Sequence, residues 1–451
     1  MLNDPGRLFD DDDPGRALWN PQAQTASEET LAKLRADGIA AEWARIWDHP
    51  IPFYRDRYTA AGFGPGEVPA LDDLPVTTKA DLRADEAAHP PLGRHRAIGL
   101  DEAVRVGRST GTTGGRPVYV LMGRRDLQTA IELQSRAVWA CGVRPGDRFA
   151  HSWPFGLYVS SGTSAFWYAK TGALELPLGP PDSPETAAEH VRIWDEFRPR
   201  GLMVTGTQLD TYVEAAERIG LDLAEILSGA TVVLFDLVYQ FEGPRRRVEE
   251  RFGIRLRNMS GASDIPGFGC ADCDAHTGVH APGDHAFVQV CDPETGRSLP
   301  PGQRGHLVVS TFGMDAFFLR YDLEDVAVLE DGPCPCGQTG QRFRVLGRSA
   351  DQVTVDGRAV LPVDVQLALD PHGAPEFRLL GAGGPETGRL AVRLECDGDP
   401  GRYAEILAAD LGVPVDVDHV SSAVPVSETR PVWHCTSMSY ALRSAHGPSV
   451  P

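Results

Sequence analysis

Leu202-Met-Val-Thr205, Asp210-Thr-Tyr-Val-Glu-Ala-Ala-Glu-Arg-Ile219 and Thr231-Val-Val-Leu-Phe235 decide the fold class. The first and third are short apolar runs that read as strands, and the middle one repeats its apolar residues at helical spacing. A second helical stretch follows at 244–252. Upstream, 126–141 reads as an amphipathic helix and 147–152 as a strand entering a loop. Strands alternating with helices predict an α/β fold, a parallel sheet with helices on its faces. After Gly278 the pattern changes to short strands at 286–291 and 306–311 separated by turn signals, which predicts a half-exposed β-rich subdomain. Beyond Gly347, strands near 352–355, 377–380, 390–395 and 415–420 and helices near 363–369 and 403–410 predict a small α+β unit. At the other end, residues 1–25 are rich in Asp, Pro and Gly and read as a mobile or draped tail, followed by a helix over 28–47. The expected division is a large domain over 1–345, a hinge at 346–350, a small mobile domain over 351–440 and a tail over 441–451.

Between two strand-like runs lies Ser109-Thr-Gly-Thr-Thr-Gly-Gly-Arg-Pro117. Glycines let the backbone approach a ligand closely, and hydroxyls and free N–H groups suit phosphate oxygens. Taken alone, the same run also reads as an ordinary surface turn. It lacks the Gly-x-x-x-x-Gly-Lys-Ser/Thr spacing of a P-loop.

Composition narrows the function classes. The chain has 451 residues, 42% of them hydrophobic and 24% charged, and a net charge of −20. So acidic a chain argues against nucleic-acid binding, which needs clustered Lys and Arg. No apolar run approaches the roughly 20 residues of a membrane span. Asp fills positions 10–13, where a signal peptide would carry positive charge, so no membrane association and a cytoplasmic location are expected. The eight cysteines then read as reduced thiols or metal ligands rather than a disulfide framework.

The hydroxyl-rich loop keeps specific company: Trp19-Asn20-Pro21, Pro52-Phe-Tyr-Arg55, Leu74-Pro-Val-Thr-Thr-Lys-Ala-Asp-Leu82, Asp292-Pro-Glu-Thr-Gly296, Gly305-His-Leu-Val308, Arg320-Tyr321, Cys334-Pro-Cys-Gly337 and Leu346-Gly-Arg-Ser349. With these, in this order over nearly the whole chain, the sequence resembles the adenylate-forming ligases, in the branch of phenylacetate–coenzyme A ligase. The resemblance implies that ATP, Mg²⁺ and a carboxylate meet between a large and a small domain. An acyl-adenylate forms there and passes to coenzyme A, a carrier protein or an amine. It also implies that Ser109, Thr110, Gly111, Thr112, Thr113 and Gly114 hold the departing phosphates, with one residue added before the proline.

Ser260-Gly261-Ala-Ser-Asp264 falls where the family reads Tyr-Gly-x-Ser-Glu. Asp264 thereby becomes the metal-holding carboxylate on a shorter arm, and Ser260 a residue that cannot stack on adenine. Asp325 matches the ribose-binding carboxylate and Arg348 the junction arginine, with Ala350 and Asp351 in place of paired acids. Asp236-Leu-Val-Tyr-Gln240 replaces Gly-Ala-Glu-Pro and would crowd the adenine wall. Arg430 stands at the catalytic lysine's position, and arginine is not equivalent to lysine; no lysine follows Lys170. Trp153, Phe155, Tyr158, Thr205 and Gly206 match the acyl pocket, whose aromatics would favour an aryl or heteroaryl acid from secondary metabolism. Cys273, His280, Cys334 and Cys336 match a structural zinc site; Cys270 and His276 are alternative ligands, and uncoordinated thiols the alternative reading. Family members are often dimers. The departures from the family pattern also admit a repurposed protein that no longer adenylates and binds a preformed adenylate or thioester, or acts as a partner.

Overall fold

The computed structural model describes residues 15–49, 51–109, 117–154, 156–160, 162–372, 376–382, 388–395 and 399–420. Its main sheet sets five strands parallel in the order Leu174–Pro177, Arg148–His151, Gly201–Val204, Thr231–Leu234 and Arg255–Gly261; Gly269–Ala271 closes the edge antiparallel. Parallel neighbours need crossovers. The helices Ser164–Thr171, Pro184–Phe197, Gly206–Ile219 and Glu242–Phe252 supply them. Each has a local reason to start or stop: Ser183 caps an N-terminus ahead of Pro184, Thr205 forms a capping box with Gln208, and Gly220 ends its helix at φ 72°.

Alternate residues of the sheet feed two cores. Ala150, Leu202, Val204, Val232, Leu234 and Leu256 pack on one side against helices 184–197 and 206–219. Phe149, Met203, Val233 and Met259 pack on the other against Val138, Trp167 and Tyr168. Covered on both faces, the inner strands are buried at every position, and for that reason they read as continuous apolar runs.

The helix Arg124–Ala140 differs from its amphipathic expectation, because its polar residues are buried as well. Glu132 Oε2 accepts from Lys170 Nζ at 2.7 Å and from Trp19 Nε1 at 3.0 Å, while Arg136 holds Asp284 through two bonds of 2.8 and 3.0 Å. Charges brought from distant segments cover the face that the sequence pattern assigns to water. The first of these segments belongs to the expected tail: Trp19 is buried, and Pro21–Gln24 is a short helix lying against the body of the protein.

A second, antiparallel sheet runs in the order Ala286–Cys291, Gly305–Thr311, Tyr321–Leu329, Arg342–Arg348 and Val279–His280. It is not half-exposed. One face packs with the helix Lys79–Ala88 and the strand Tyr119–Met122. On the other, Gln289, Ser310 and Arg342 are buried. Gln289 donates to Asp72 at 2.9 Å, and Arg320 donates to the carbonyls of Leu71 and Leu74 at 2.6 and 2.7 Å, so a turn near residue 72 seals the sheet.

After Arg348 a single turn, Ser349–Asp351, leads to the hairpin Val353–Val355/Arg358–Val360, the helices Pro362–Leu369 and Pro400–Leu411, and a sheet of Glu376–Ala382, Leu390–Glu395 and Val415–Val420. The hairpin, both helices and the strands Leu390–Glu395 and Val415–Val420 share their own apolar core. Arg304 grips Asp364 of this unit with bonds of 2.9 and 2.7 Å.

Candidate functional site

The first parallel strand, Arg148–His151, has its sequence successor on one side and Gly201–Val204 on the other. In open α/β sheets ligands bind outside the carboxyl ends of the strands. Trp153, Tyr158, Phe235 and Ser263, which follow the carboxyl ends of the strands Arg148–His151, Thr231–Leu234 and Arg255–Gly261, line a pocket open to solvent together with Gln134 and Arg348.

Beside it lies a buried group of charges. Lys79 Nζ is 3.0 Å from Asp264 Oδ2, with side chains only 4% and 5% exposed, and Tyr321 Oη donates to the same oxygen at 2.9 Å. Burial alone would raise the Asp264 pKa, but the Lys79 ammonium and the Tyr321 hydroxyl hold it below the usual carboxylate range. Asp264 Oδ1 is buried with no hydrogen-bond partner among the described residues. Opposite Arg348 on the ladder stands Asp325, with Arg348 Nε 3.2 Å from its Oδ1. Burial raises the Asp325 pKa despite this guanidinium. Arg348 Nη1 also donates to Leu323 O at 3.0 Å.

Lys79 opens a helix whose N-terminus carries a Thr78–Asp81 capping box. Further along the same helix, Glu86 Oε1 accepts from Tyr119 N at 3.1 Å, joining it to the strand that leaves the hydroxyl-rich loop.

The sequence-derived site residues divide by position. Asp264, Asp325 and Arg348 come together, and Trp153, Tyr158 and Gly261 line the pocket. Ser109 closes the base of its loop, its Oγ accepting from Val118 N at 3.0 Å. Thr110, Gly111, Thr112, Thr113, Gly114, Phe155 and Arg430 lie outside the described residues. Thr205 and Gly206 do not line this pocket; Thr205 Oγ1 caps its helix, and Gly206 abuts Asp236, whose Oδ2 would be 2.1 Å from a Cβ placed there. Ser260 is buried beside Cys270 on the neighbouring strand, with no partner for its Oγ among the described residues. In the stretch expected to crowd the adenine wall, Val238–Gln240 forms one tight turn and Gln240 Nε2 donates to Val345 O at 2.8 Å, tying it to the strand that ends at Arg348. Lys79, Tyr321 and Gln134 were not legible as site residues. The one signal for Lys79 was its place in the Leu74–Leu82 motif.

Below the second sheet, the ligand atoms of Cys273, His280, Cys334 and Cys336 all lie within 4.8 Å of one another. Cys273 Sγ is 3.5 Å from Cys334 Sγ, and Cys336 Sγ is 3.5 Å from His280 Nε2. Four ligands about 2.3 Å from a tetrahedral zinc would stand roughly 3.8 Å apart, so the set fits that ion. Cys270 and His276 are not in the cluster: Cys270 is buried on its strand, and His276 Nδ1 pairs with Asp272 at 2.7 Å. The knuckle also holds the chain's beginning. Gln24 Nε2 donates to Gln338 at 2.9 Å, Thr339 N to Gln24 O at 2.9 Å, and Thr339 Oγ1 to Ala26 O at 2.6 Å.

This architecture is that of acid–coenzyme A ligases. It superposes on 2-hydroxyisobutyryl-CoA ligase in the postadenylation state, in complex with 2-HIB-AMP, with a TM-score of 0.81 and 24% identity, over 94% of this chain and 92% of that one. With the same ligase in complex with 2-HIB-AMP and CoA, the TM-score is 0.70 at 25% identity, over 98% and 97%. No protein-family profile matches the chain. In sequence it is 32% identical over 372 residues to phenylacetate-coenzyme A ligase of Thermus thermophilus, covering 80% of this chain and 81% of the relative. The Pseudomonas putida phenylacetate-coenzyme A ligase is 29% identical over 361 residues, 78% of each chain. The chain belongs to the phenylacetate–coenzyme A ligase family.

Proposed function

We propose that the protein activates a carboxylic acid, aryl or heteroaryl in character, with ATP and passes the acyl group to coenzyme A. A carboxylate oxygen bonds to the α-phosphorus while the bond to pyrophosphate breaks; the thiol sulfur then bonds to the acyl carbon and AMP leaves. The barrier is mainly charge crowding, so fixed opposite charges lower it. The reading rests on family membership together with one observation: Asp264, Lys79, Asp325 and Arg348 form a buried charged group beside an aromatic pocket.

In this reading Asp325 accepts from the ribose hydroxyls and Arg348 reaches the nucleotide from the hinge between the large and small units. Tyr321 and Lys79 keep Asp264 ionised and fix its orientation. Asp264 suits Mg²⁺, since its Oδ1 is a buried, unshared hard oxygen; bound there, the ion would neutralise phosphate charge. Ser109 anchors the loop whose hydroxyls and N–H groups hold the phosphates. Arg430 supplies the positive charge that the family's lysine supplies. Cys273, His280, Cys334 and Cys336 hold a structural zinc that pins loops and takes no part in the chemistry.

Pyrophosphate release with ATP, Mg²⁺, coenzyme A and a panel of aryl acids tests the reading, with acyl-CoA as the expected second product. Absence of ATP binding by calorimetry at millimolar concentration would overturn it. Ser260 in place of an aromatic ring favours a second reading, a protein that takes up a preformed acyl-adenylate. That protein would form acyl-CoA from the adenylate and coenzyme A without releasing pyrophosphate from ATP.

A further inference from the structure

Gln134 sits mid-helix in Arg124–Ala140, more than nine-tenths buried, and lines the aromatic pocket. A buried amide is costly unless its hydrogen-bonding sites are used. It offers two N–H donors and a carbonyl acceptor. One N–H goes to Gly267 O at 3.2 Å, and no other partner of Gln134 lies among the described residues. The amide is held in place from behind: a Cβ at Gly269 would stand 2.3 Å from its Nε2, so the side chain lies flat on that backbone. Aromatic residues form much of the remaining wall: Trp153, Tyr158, Trp167, Phe235 and Phe268. Two of them repeat the same imbalance. The indole N–H groups of Trp153 and Trp167 are buried with no hydrogen-bond partner among the described residues. An apolar ring would fill such a pocket and leave the Gln134 carbonyl oxygen and second N–H unmet.

We infer that Gln134 selects the acid, favouring an aromatic ring that bears a hydroxyl, amino or ring N–H group over the same ring without it. The inference rests on the reading that this pocket receives the acyl part of an aryl acid. Flat walls hold the ring, and the Gln134 carbonyl oxygen and second N–H pair with its polar substituent. A site built to hydrogen-bond a substituent rejects the analogue lacking it far more strongly than an apolar site rejects a missing methylene.

The test uses the full-length protein and matched pairs of benzoic and phenylacetic acids, each with and without a hydroxyl or amino group at every ring position. Two readouts are taken: pyrophosphate release, giving kcat/KM, and quenching of tryptophan fluorescence with AMP present, giving the affinity of each acid without turnover. The expected result is a preference of about tenfold or more for the best polar acid over its parent, falling to near equality in Gln134→Leu. If Gln134→Leu does not fold, Gln134→Glu serves in its place and shifts the preference toward amino-substituted rings. Equal or tighter binding of the parent acid by the wild type, or an unchanged ratio in the variant, overturns the inference. Pyrophosphate release without discrimination leaves the ligase reading standing and sinks this one. Tighter binding of the polar acid with no pyrophosphate from any acid does the reverse.

Discussion

Lys79 and Asp264 show how much can depend on one pair. Removing one partner of a buried ion pair strands the other charge, which costs about 3–5 kcal/mol. Lys79→Met is therefore expected to lower the free energy of unfolding by about that much in urea titrations, and the added Asp264→Asn to recover part of the loss, since contacting residues are not additive. Tyr321→Phe removes one hydrogen bond to the same carboxylate, and the expected loss is about 1–2 kcal/mol. Its clearer signature is in pH. The depressed pKa of Asp264 makes its contribution fully present at neutral pH and lost as pH falls through that pKa. Without the Tyr321 hydroxyl the folded-state pKa rises toward the unfolded value, so the loss should be smaller and complete at higher pH, which thermal melts across an acid series would detect. In the sequence, the acidic members of this group stand out because they fall in the family's motifs, Asp264 after Ser260-Gly-Ala-Ser and Asp325 after Arg320-Tyr321. Their pairing with a cation does not, because Lys79 reaches Asp264 across most of the large unit and no local spacing encodes that contact.

Among the elements, the βα layers were legible and the burial of the second sheet was not, for one reason seen twice. Strands covered on both faces by helices give apolar runs such as 202–204 and 231–235, which a reader finds at once. Where polar residues are buried against other polar groups, as Gln289 is on Asp72 or Glu132 on Lys170, the pattern looks the same as a wetted face. The described part of the N-terminal segment is draped over the body of the protein, one of the two forms the sequence allowed. Its contacts with Gln338 and Thr339, just beyond Cys336, join the N-terminal segment to the candidate zinc site, and they predict what chelation does. Protein purified without chelators should carry about one zinc per chain. Stripping that ion, or making Cys334→Ser, should speed proteolytic cleavage between residues 15 and 28 well before the helices of the main sheet become susceptible, as peptide mapping would show. Unchanged cleavage on complete zinc removal would mean that the hydrogen bonds of Gln24 and Thr339 hold without it.

In the whole molecule, acid stability is a contest between buried groups of opposite sign. Burial lifts the Asp126 pKa from 3.8 to about 6, although the backbone N–H groups of Gly123, Asp315 and Ala316 point at its carboxylate. The folded protein therefore holds more protons than the unfolded chain between those values, and stability falls as pH rises across them. His95, buried against Asp85, is pushed from 6.5 down to about 4, so over a similar window its contribution rises with pH. Asp126→Asn removes the falling component, and the variant's melting temperature should climb more steeply than the wild type's between about pH 4 and 6. Both groups were invisible as titrating sites in the sequence, because burial alone distinguishes them from surface residues of the same type. The fastening of the chain's beginning to its knuckle has a further consequence, one of timing. Gln24 meets Gln338 across 314 residues, and closing so long a span costs about 5 kcal/mol of chain entropy beyond a constant. A nascent chain emerging from the ribosome cannot meet that cost until the knuckle and the strand ending at Arg348 are outside. Until then Gln24 and Ala26 lack the partners that Gln338 and Thr339 will supply, and the segment around them stays open to proteases.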